Sequence, residues 1–224
     1  AKACDVIVGV GPDGLSPTAE KMRRLMHYGQ MLQSHALHFY HLCSPDLLFG
    51  FDSDVTKRHV LAVAAAYPEI ALQGILLRKY GQEVIQATAG KKIHGTGAIP
   101  GGINKHLTAE EKAHFQKDID QMIAWSMGAV QLVKKVHSQN PQFFDSFGAF
   151  PSNHFSLVRK DGALDLYHGN LRAVDKDGAK IFDQVDYADY LSYIGEGVRT
   201  WSYMKFPFIK NLGKASGWYR VGPL

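Results

Sequence analysis

The order of apolar and polar residues predicts helices over most of the first part of the chain. Between residues 16 and 139, apolar side chains recur every three or four positions, the spacing of a helix with one buried side. Ser16 suits an N-cap and Pro17 the first helical position. This helix is predicted to run to about Cys43 and to end at Pro45, because proline cannot continue the backbone hydrogen bonds.

Three more helices are predicted in the same region. The first covers residues 54–67. The second begins at Pro68 and stops at Gly90, because glycine accepts the left-handed conformation that commonly ends a helix. The third opens with the capping box "TAEE" (108–111) and reaches about His137.

Residues 154–183 have a different pattern. The stretch "HFSLVRKDGALDLYHGNLRAVDKDGAKIFD" contains short strand-forming runs interrupted twice by Lys-Asp-Gly, which predicts a small antiparallel meander. The predicted fold class is mainly α: a long-helix bundle core (16–139) with a small β-rich insertion (154–183). A short helix around 187–194 and a mostly extended tail are expected within the last part, 184–224.

Composition narrows the functional classes. The net charge is only +4 and no Lys/Arg run exceeds two residues, so nucleic-acid binding is not supported. No apolar stretch approaches the roughly 20 residues that span a bilayer. The two cysteines, Cys4 and Cys43, form no CxxC motif, which predicts a reducing, cytoplasmic compartment. The chain opens without Met and ends without a polar tail, so we expect a longer parent polypeptide.

The first long helix carries an unusual set of histidines. The stretch "HYGQMLQSHALHFYHLCSPD" contains His27, His35, His38 and His41. With His27 at zero, the other three lie at about 80°, 20° and −40° on an ideal helix, so all four share one side. The other sides are also largely apolar, which predicts burial inside the protein or at an interface. Two interpretations stay open: a metal or redox site beside these histidines, or imidazoles that are simply hydrogen-bonded within a helical core.

A glycine-rich loop and one lysine are the other candidates for chemistry. "GKKIHGTGAIPGGINK" (90–105) matches neither phosphate-binding glycine motif, although its Pro-Gly suits a type II turn. Its glycines allow close backbone approach to a partner chain or a cluster, with His94 as the polar side chain in that approach. Lys205 lies among aromatic residues in "WSYMKFPF". It is either buried against an anionic or polar partner or extended to solvent.

Four stretches, in this order, resemble the large subunits of nickel–iron hydrogenases. They are "EKMRRLMHYGQMLQSHALHFYHLCSPDLLFG", "GKKIHGTGAIPGGINK", "ALDLYHGNLRA" and "SYMKFPF…RVGPL". The resemblance covers nearly the whole chain and is greatest to the soluble, NAD-reducing class. It implies the large-subunit fold, with residues 1–224 as the central part of one such domain. It also implies reversible oxidation of dihydrogen, with electrons passed through iron–sulfur clusters to NAD.

The resemblance further implies cofactors and partners. Such subunits hold a nickel–iron centre with cyanide and carbonyl ligands on four cysteine thiolates from two CxxC motifs, and soft thiolates suit such a centre. Cys4 and Cys43 match neither motif, so the metal ligands are expected outside this chain, which then supplies no catalytic residue of its own. The expected partners are a small subunit with an iron–sulfur cluster and diaphorase subunits that bind flavin and NAD.

Individual residues take their expected roles from the matching motifs. Ser34 stands where many relatives have an aspartate next to the metal site, which puts a carboxylate role at this position in doubt. Ser34, His35 and His38 are expected to orient groups around that site by hydrogen bonds. His94 resembles the histidine that faces the small subunit near its iron–sulfur cluster. Lys205 resembles a lysine near a magnesium-type site.

Two other functional classes stay open at this point. The quinone-module subunit of respiratory complex I shares this ancestry but lacks the metal centre, and it has a structural and electron-coupling role. A stand-alone zinc or haem protein could use the histidine helix, although no HExxH or nearby carboxylate pattern completes a zinc site. Two CxxC motifs in the flanking sequence would distinguish the hydrogenase from the metal-free scaffold.

Overall fold

The computed structural model describes residues 1–11 and 14–222. The chain divides into two compact units, Ala1–Phe144 and Asp145–Leu224. Pro12 and Asp13 lie outside the described residues, as do Pro223 and Leu224 at the end of "RVGPL".

Long helices dominate the first unit, as the sequence predicts. The described helices up to residue 146 are α1 (Lys2–Ile7), α2 (Pro17–Leu37), α3 (Ser44–Phe49), α4 (Val60–Ala66), α5 (Pro68–Ala89), α6 (Ala109–Gln139) and α7 (Pro141–Ser146). None of the described helices is long and apolar enough to cross a membrane. The predicted end of α5 is confirmed, since Gly90 adopts a left-handed φ of 83°. The predicted start of α6 is also confirmed, since both hydrogen bonds of the Thr108–Glu111 capping box form.

The prediction that Pro45 ends the first helix is wrong. A π-helical turn, His38–Cys43, connects α2 directly to α3, in which Pro45 is the second residue. In a π turn the amide of residue 45 would donate to the carbonyl of residue 40, and proline has no amide hydrogen. The Ser44 hydroxyl donates to the Tyr40 carbonyl instead, at 2.6 Å, so this carbonyl is satisfied and the chain stays helical.

The helix predicted to begin at Asp54 begins later, at Val60. The Asp54 carboxylate accepts hydrogen bonds from the amide and hydroxyl of Thr56 at 2.9 and 2.8 Å, which holds a turn. His59 then caps α4, with its Nδ1 accepting from the Ala62 amide at 3.3 Å. Polar side chains that bind nearby backbone groups compete with helix formation, and this competition delays the start of α4.

Glycines bring α2 and α5 into close contact. A Cβ at Gly81 would lie 2.7 Å from the backbone nitrogen of Gln33, and a Cβ at Gly29 would lie 2.7 Å from Cγ1 of Val84. Side chains larger than hydrogen would therefore separate the two helices. The buried core beside this contact contains Ala36, Tyr40, Leu77 and Met122.

The second unit contains the predicted meander. Its four-stranded sheet has the order β5-β4-β3-β8, with bounds β3 (Asn153–Val158), β4 (Asn170–Val174), β5 (Lys180–Val185) and β8 (Tyr219–Arg220). The pairs β3–β4 and β4–β5 are antiparallel, whereas β8 runs parallel to β3. Both Lys-Asp-Gly turns end on a glycine with positive φ, Gly162 and Gly178. The mainly α fold with an antiparallel meander is thus confirmed.

The predicted extended tail is mostly a β-hairpin. β6 (Ile194–Arg199) pairs with β7 (Ser202–Ile209) in a separate two-stranded sheet. The short helix predicted before it appears as a 3-10 turn, Tyr187–Asp189, followed by α8 (Tyr190–Tyr193). A further 3-10 turn, Lys210–Leu212, and α9 (Gly213–Ser216) precede β8.

Candidate functional site

The histidine side of α2 is open within this chain. Ser34, His35 and His38 are exposed, whereas His27 and His41 are partly buried. The described residues therefore do not bury His35 and His38 in a helical core. Beyond His38 the π turn places more residues in each turn than an α-helix does, so the ideal-helix angle does not hold for His41.

His35 has a defined tautomer. Its Nδ1 lies 2.8 Å from the Met31 carbonyl oxygen one turn earlier. A carbonyl can only accept, so Nδ1 carries the proton of this hydrogen bond, and the neutral tautomer that forms it has its lone pair on Nε2. The exposed side of α2 thus offers a hydrogen-bond acceptor at His35.

His38 and Cys43 are in contact across the π turn. The Cys43 sulfur lies 3.4 Å from Nδ1 and 3.6 Å from Nε2 of the imidazole. Because these distances are nearly equal, the sulfur is not in line with the lone pair of one nitrogen. Burial and the negative charge of Asp46 raise the pKa of the Cys43 thiol, so the neutral thiol is favoured over the thiolate.

Asp5 and Arg23 form a buried ion pair in the first unit, which the sequence patterns did not reveal. Asp5 and Arg23 are 4% and 3% exposed. The guanidinium contacts both carboxylate oxygens, at 2.5 and 3.1 Å, and also donates to the carbonyl oxygens of Ile99 and Gly102. The hydrogen bond from Arg23, supported by one from the Gly101 amide, lowers the pKa of Asp5 to about 2.

This ion pair fixes the glycine loop. The loop forms a small ribbon, β1 (Ala98–Ile99) and β2 (Gly102–Ile103), and its turn is attached to Asp5 and Arg23 through backbone groups. Gly101 has a φ of 78°, as a type II turn at Pro-Gly requires.

The close approach predicted for the loop glycines is made within the chain, to the end of α5. A Cβ at Gly97 would lie 2.3 Å from the carbonyl oxygen of Thr88. His94, in the part of the loop before this contact, is exposed and adopts a φ of 52°.

Lys205 extends to solvent and is not buried. Its side chain is 62% exposed, and its ammonium lies 3.0 Å from the Glu196 carboxylate on the paired strand. The structure therefore supports the second of the two predicted alternatives for this lysine. A surface ion pair of this kind contributes little to stability.

The described residues do not provide a complete metal site. Among residues 1–11 and 14–222, no group of three or more His, Cys, Asp or Glu side chains is placed to hold a metal ion. Cys4 is exposed and Cys43 is partly buried beside His38. These residues alone do not fit a centre that needs four thiolates.

Comparison with solved structures identifies the fold. The chain superposes with a TM-score of 0.94 on a crystal structure of an NAD+-reducing [NiFe]-hydrogenase in the H2-reduced state, at 51% identity, covering 99% of this chain and 49% of that one. A [NiFeSe]-hydrogenase of Dm. baculatum superposes with a TM-score of 0.61 at 19% identity, covering 82% of this chain and 40% of that one. The second match supports the fold alone.

The chain belongs to the family of nickel–iron hydrogenase large subunits. It is 43% identical over 233 residues to the NAD-reducing hydrogenase HoxS subunit beta of Cupriavidus necator, covering all of this chain and 48% of that subunit. It is also 41% identical over 225 residues to a vhu subunit of the F420-non-reducing hydrogenase of Methanocaldococcus jannaschii, covering all of this chain and 52% of that relative. The chain thus spans about half the length of these relatives. No family model matches it.

Proposed function

We propose that this chain is part of the catalytic large subunit of a cytoplasmic nickel–iron hydrogenase that reversibly oxidises dihydrogen and reduces NAD. The observation that carries the proposal is the 43% sequence identity, along the whole length of this chain, to an NAD-reducing relative. In the balanced reaction, dihydrogen yields two protons and two electrons, and NAD+ takes up both electrons and one proton. The electrons would travel through iron–sulfur clusters in a small subunit to diaphorase subunits that carry flavin and NAD.

Within such a subunit, we assign this chain to the surroundings of the metal centre. The ligating cysteines would belong to the half of the large subunit that this chain does not match, since Cys4 and Cys43 do not form a ligand set. Residues 1–224 would then form the central part of one large-subunit domain.

Ser34, His35 and His38 are the residues assigned to the metal site. Ser34 and His35 on α2 and His38 at the start of the π turn are all exposed. In its neutral tautomer, His35 can accept a hydrogen bond at Nε2 from a group that covers this side. His94 is assigned to the contact with the small subunit near its cluster, because it is exposed on a loop held by Asp5 and Arg23. Lys205 is assigned to a magnesium-type site.

The function is tested on the intact, matured complex. We expect dihydrogen-dependent reduction of NAD, together with nickel and iron in the large subunit. A matured complex without nickel, or one that assembles but reduces neither NAD nor a dye with dihydrogen, would contradict the proposal. The nickel-free result would instead favour the metal-free relative with a structural and electron-coupling role.

The histidine assignment makes a separate prediction. In the complex, His35→Gln and His38→Gln should each lower dihydrogen oxidation by about 10- to 100-fold, the usual effect of removing groups that orient a metal site. Each should also shift the infrared bands of the carbonyl and cyanide ligands, which a purely structural defect elsewhere would leave in place. His106→Gln, at an exposed loop position, is the matched control. Unchanged bands in both variants would remove these histidines from the site.

A further inference from the structure

Arg78, in the middle of α5, is a partly buried cation without a partner in the described part of the chain. Its Nε is buried and makes no hydrogen bond, and no described carboxylate forms an ion pair with its guanidinium. An arginine side chain stays protonated in proteins. Burying a charged donor without a partner is costly, so this guanidinium requires an anionic group that the described residues do not supply.

His41 has a second buried nitrogen without a hydrogen bond. Its Nδ1 is buried and has no partner among the described residues. His41 lies in the π turn directly after Tyr40, and a Cβ at Gly74 of α5 would lie 2.3 Å from the Tyr40 Cβ. Successive residues rotate less in a π turn than in an α-helix, so His41 stays near the side that faces α5. An imidazole nitrogen can carry a proton, so His41 can donate a hydrogen bond there.

Arg78 lies on the side of α5 away from the packed core. Leu77, one position earlier, packs in that core with Met122 of α6. On an ideal helix, Gly74 and Gly81 lie between Leu77 and Arg78 in angle, and both glycines contact α2 or its π turn. Arg78 therefore lies beyond the contact between the two helices, on the side opposite to α6.

The side chains of His41 and Arg78 lean toward each other along this contact. α2 and α5 are antiparallel, because the later glycine of α5, Gly81, meets Gln33, whereas the earlier one meets the π turn. Helical side chains lean toward the N-terminus of their own helix. His41 therefore leans toward the level of Arg78, and Arg78 leans toward the level of His41. Two donors without partners thus converge at one place.

We propose that Arg78 and His41 bind one carboxylate group. A guanidinium presents parallel N–H donors that match the two oxygens of a carboxylate, and the imidazole adds a further donor. The carboxylate belongs either to an Asp or Glu side chain of a longer subunit or to a free small molecule. The first source is available because the relatives are about twice as long as this chain. This inference does not depend on the hydrogenase reaction.

The test follows the Nε–H signal of Arg78 and the imidazole signals of His41 by NMR in the isotope-labelled 224-residue chain. Acetate replaces chloride at constant ionic strength, so that only the kind of anion changes. Acetate should shift both sets of signals, and the shifts should saturate with one common Kd. The absence of a saturable shift at either residue overturns the proposal.

Two variants locate the acetate site. Arg78→Gln should weaken acetate binding at the His41 signals by at least about tenfold, because it removes a charge-assisted pair of hydrogen bonds. Lys79→Gln is the matched control: Lys79 is the next residue, is 61% exposed, and should change the Kd by about twofold or less. Far-UV circular dichroism checks folding, and His41→Gln, followed at the Arg78 signal, replaces Arg78→Gln if that variant does not fold. Equal effects of the site variant and Lys79→Gln overturn the proposal.

The full-length large subunit distinguishes the two sources of the carboxylate. If an Asp or Glu of the same polypeptide fills the site, the Arg78 signal should already lie near its acetate-saturated position, and acetate should not move it further. If the site takes free carboxylates, acetate should shift the signal as it does in the shorter chain. A signal that lies at the acetate-free position and does not respond to acetate contradicts both sources.

Discussion

Replacing Arg23 with methionine is expected to lower the melting temperature of the chain by on the order of 10 °C. The change leaves the Asp5 carboxylate buried without its cation, and it removes the donors to the carbonyl oxygens of Ile99 and Gly102. Removing one partner of a buried pair costs far more than the pair contributes, because a buried charge is left uncompensated. Differential scanning calorimetry measures the shift.

Two controls separate this effect from loss of any surface charge. Arg159→Met removes an exposed arginine whose partner, Asp161, is also exposed, and it should change the melting temperature by about 2 °C or less. The double variant Asp5→Asn with Arg23→Met should regain part of the loss, because neither partner then carries a charge. Equal shifts in the two arginine variants would show that the Asp5–Arg23 pair does not hold the loop.

The same pair predicts how stability depends on pH. The folded pKa of Asp5 is about 2, below the ordinary aspartate value of 3.8, so the ionised form is the one that folding stabilises. This contribution is complete above about pH 4 and is lost as the pH falls through about 2. The pKa of Asp183 is lowered by Arg172 and Lys180, so protonation of Asp183 adds to the loss of stability in acid. Asp5→Asn should therefore reduce the loss of stability in acid without abolishing it.

Local signals in the sequence were sufficient for the long helices α5 and α6. Pro68 and Gly90 mark the ends of α5, and Thr108 with Glu111 marks the start of α6, because these residues act on backbone groups within a few positions. The two Lys-Asp-Gly turns likewise predict the meander of the second unit. Such signals need no knowledge of the rest of the chain.

Features that depend on distant contacts were not predictable in this way. The Asp5–Arg23 pair joins residues that are 18 positions apart, and Arg23 reaches a carbonyl 79 positions further on. A sequence-level signal did exist: Arg23 lies at about −40° on the same helix scale, on the histidine side of α2. An arginine on a side expected to be buried requires an anionic partner. Strand β8, which joins the sheet from near the end of the chain, gives no comparable signal.

The candidate site also has one part that local spacing predicts and another part that depends on the rest of the fold. The histidine side of α2 was predictable from spacing, up to the π turn that follows Leu37. The contact between His38 and Cys43 depends on that turn, whose cause lies partly in the hydrogen bond from Ser44 to the carbonyl of Tyr40. Exposure of the histidines could not be predicted, because it depends on which elements cover α2.

Gly81→Ala and Gly128→Ala should have opposite effects on stability. Both residues lie within helices, where replacing glycine with alanine gains up to about 1 kcal/mol in helix propensity. At Gly128 a Cβ would meet nothing within 4 Å, so the gain remains and the free energy of unfolding should rise by about 0.5–1 kcal/mol. The expected increase in the free energy of unfolding at Gly128 thus comes from helix propensity alone.

At Gly81 packing decides the result. A Cβ there would lie 2.7 Å from the backbone nitrogen of Gln33 and 2.8 Å from the carbonyl oxygen of Gly29, and neither atom can move without moving α2. Overpacking of this kind costs about 1–3 kcal/mol and exceeds the gain in propensity. Urea unfolding should therefore give a lower midpoint for Gly81→Ala and a higher midpoint for Gly128→Ala than for the parent chain. If both midpoints rise, α2 and α5 are further apart than described, and the glycines do not set their separation.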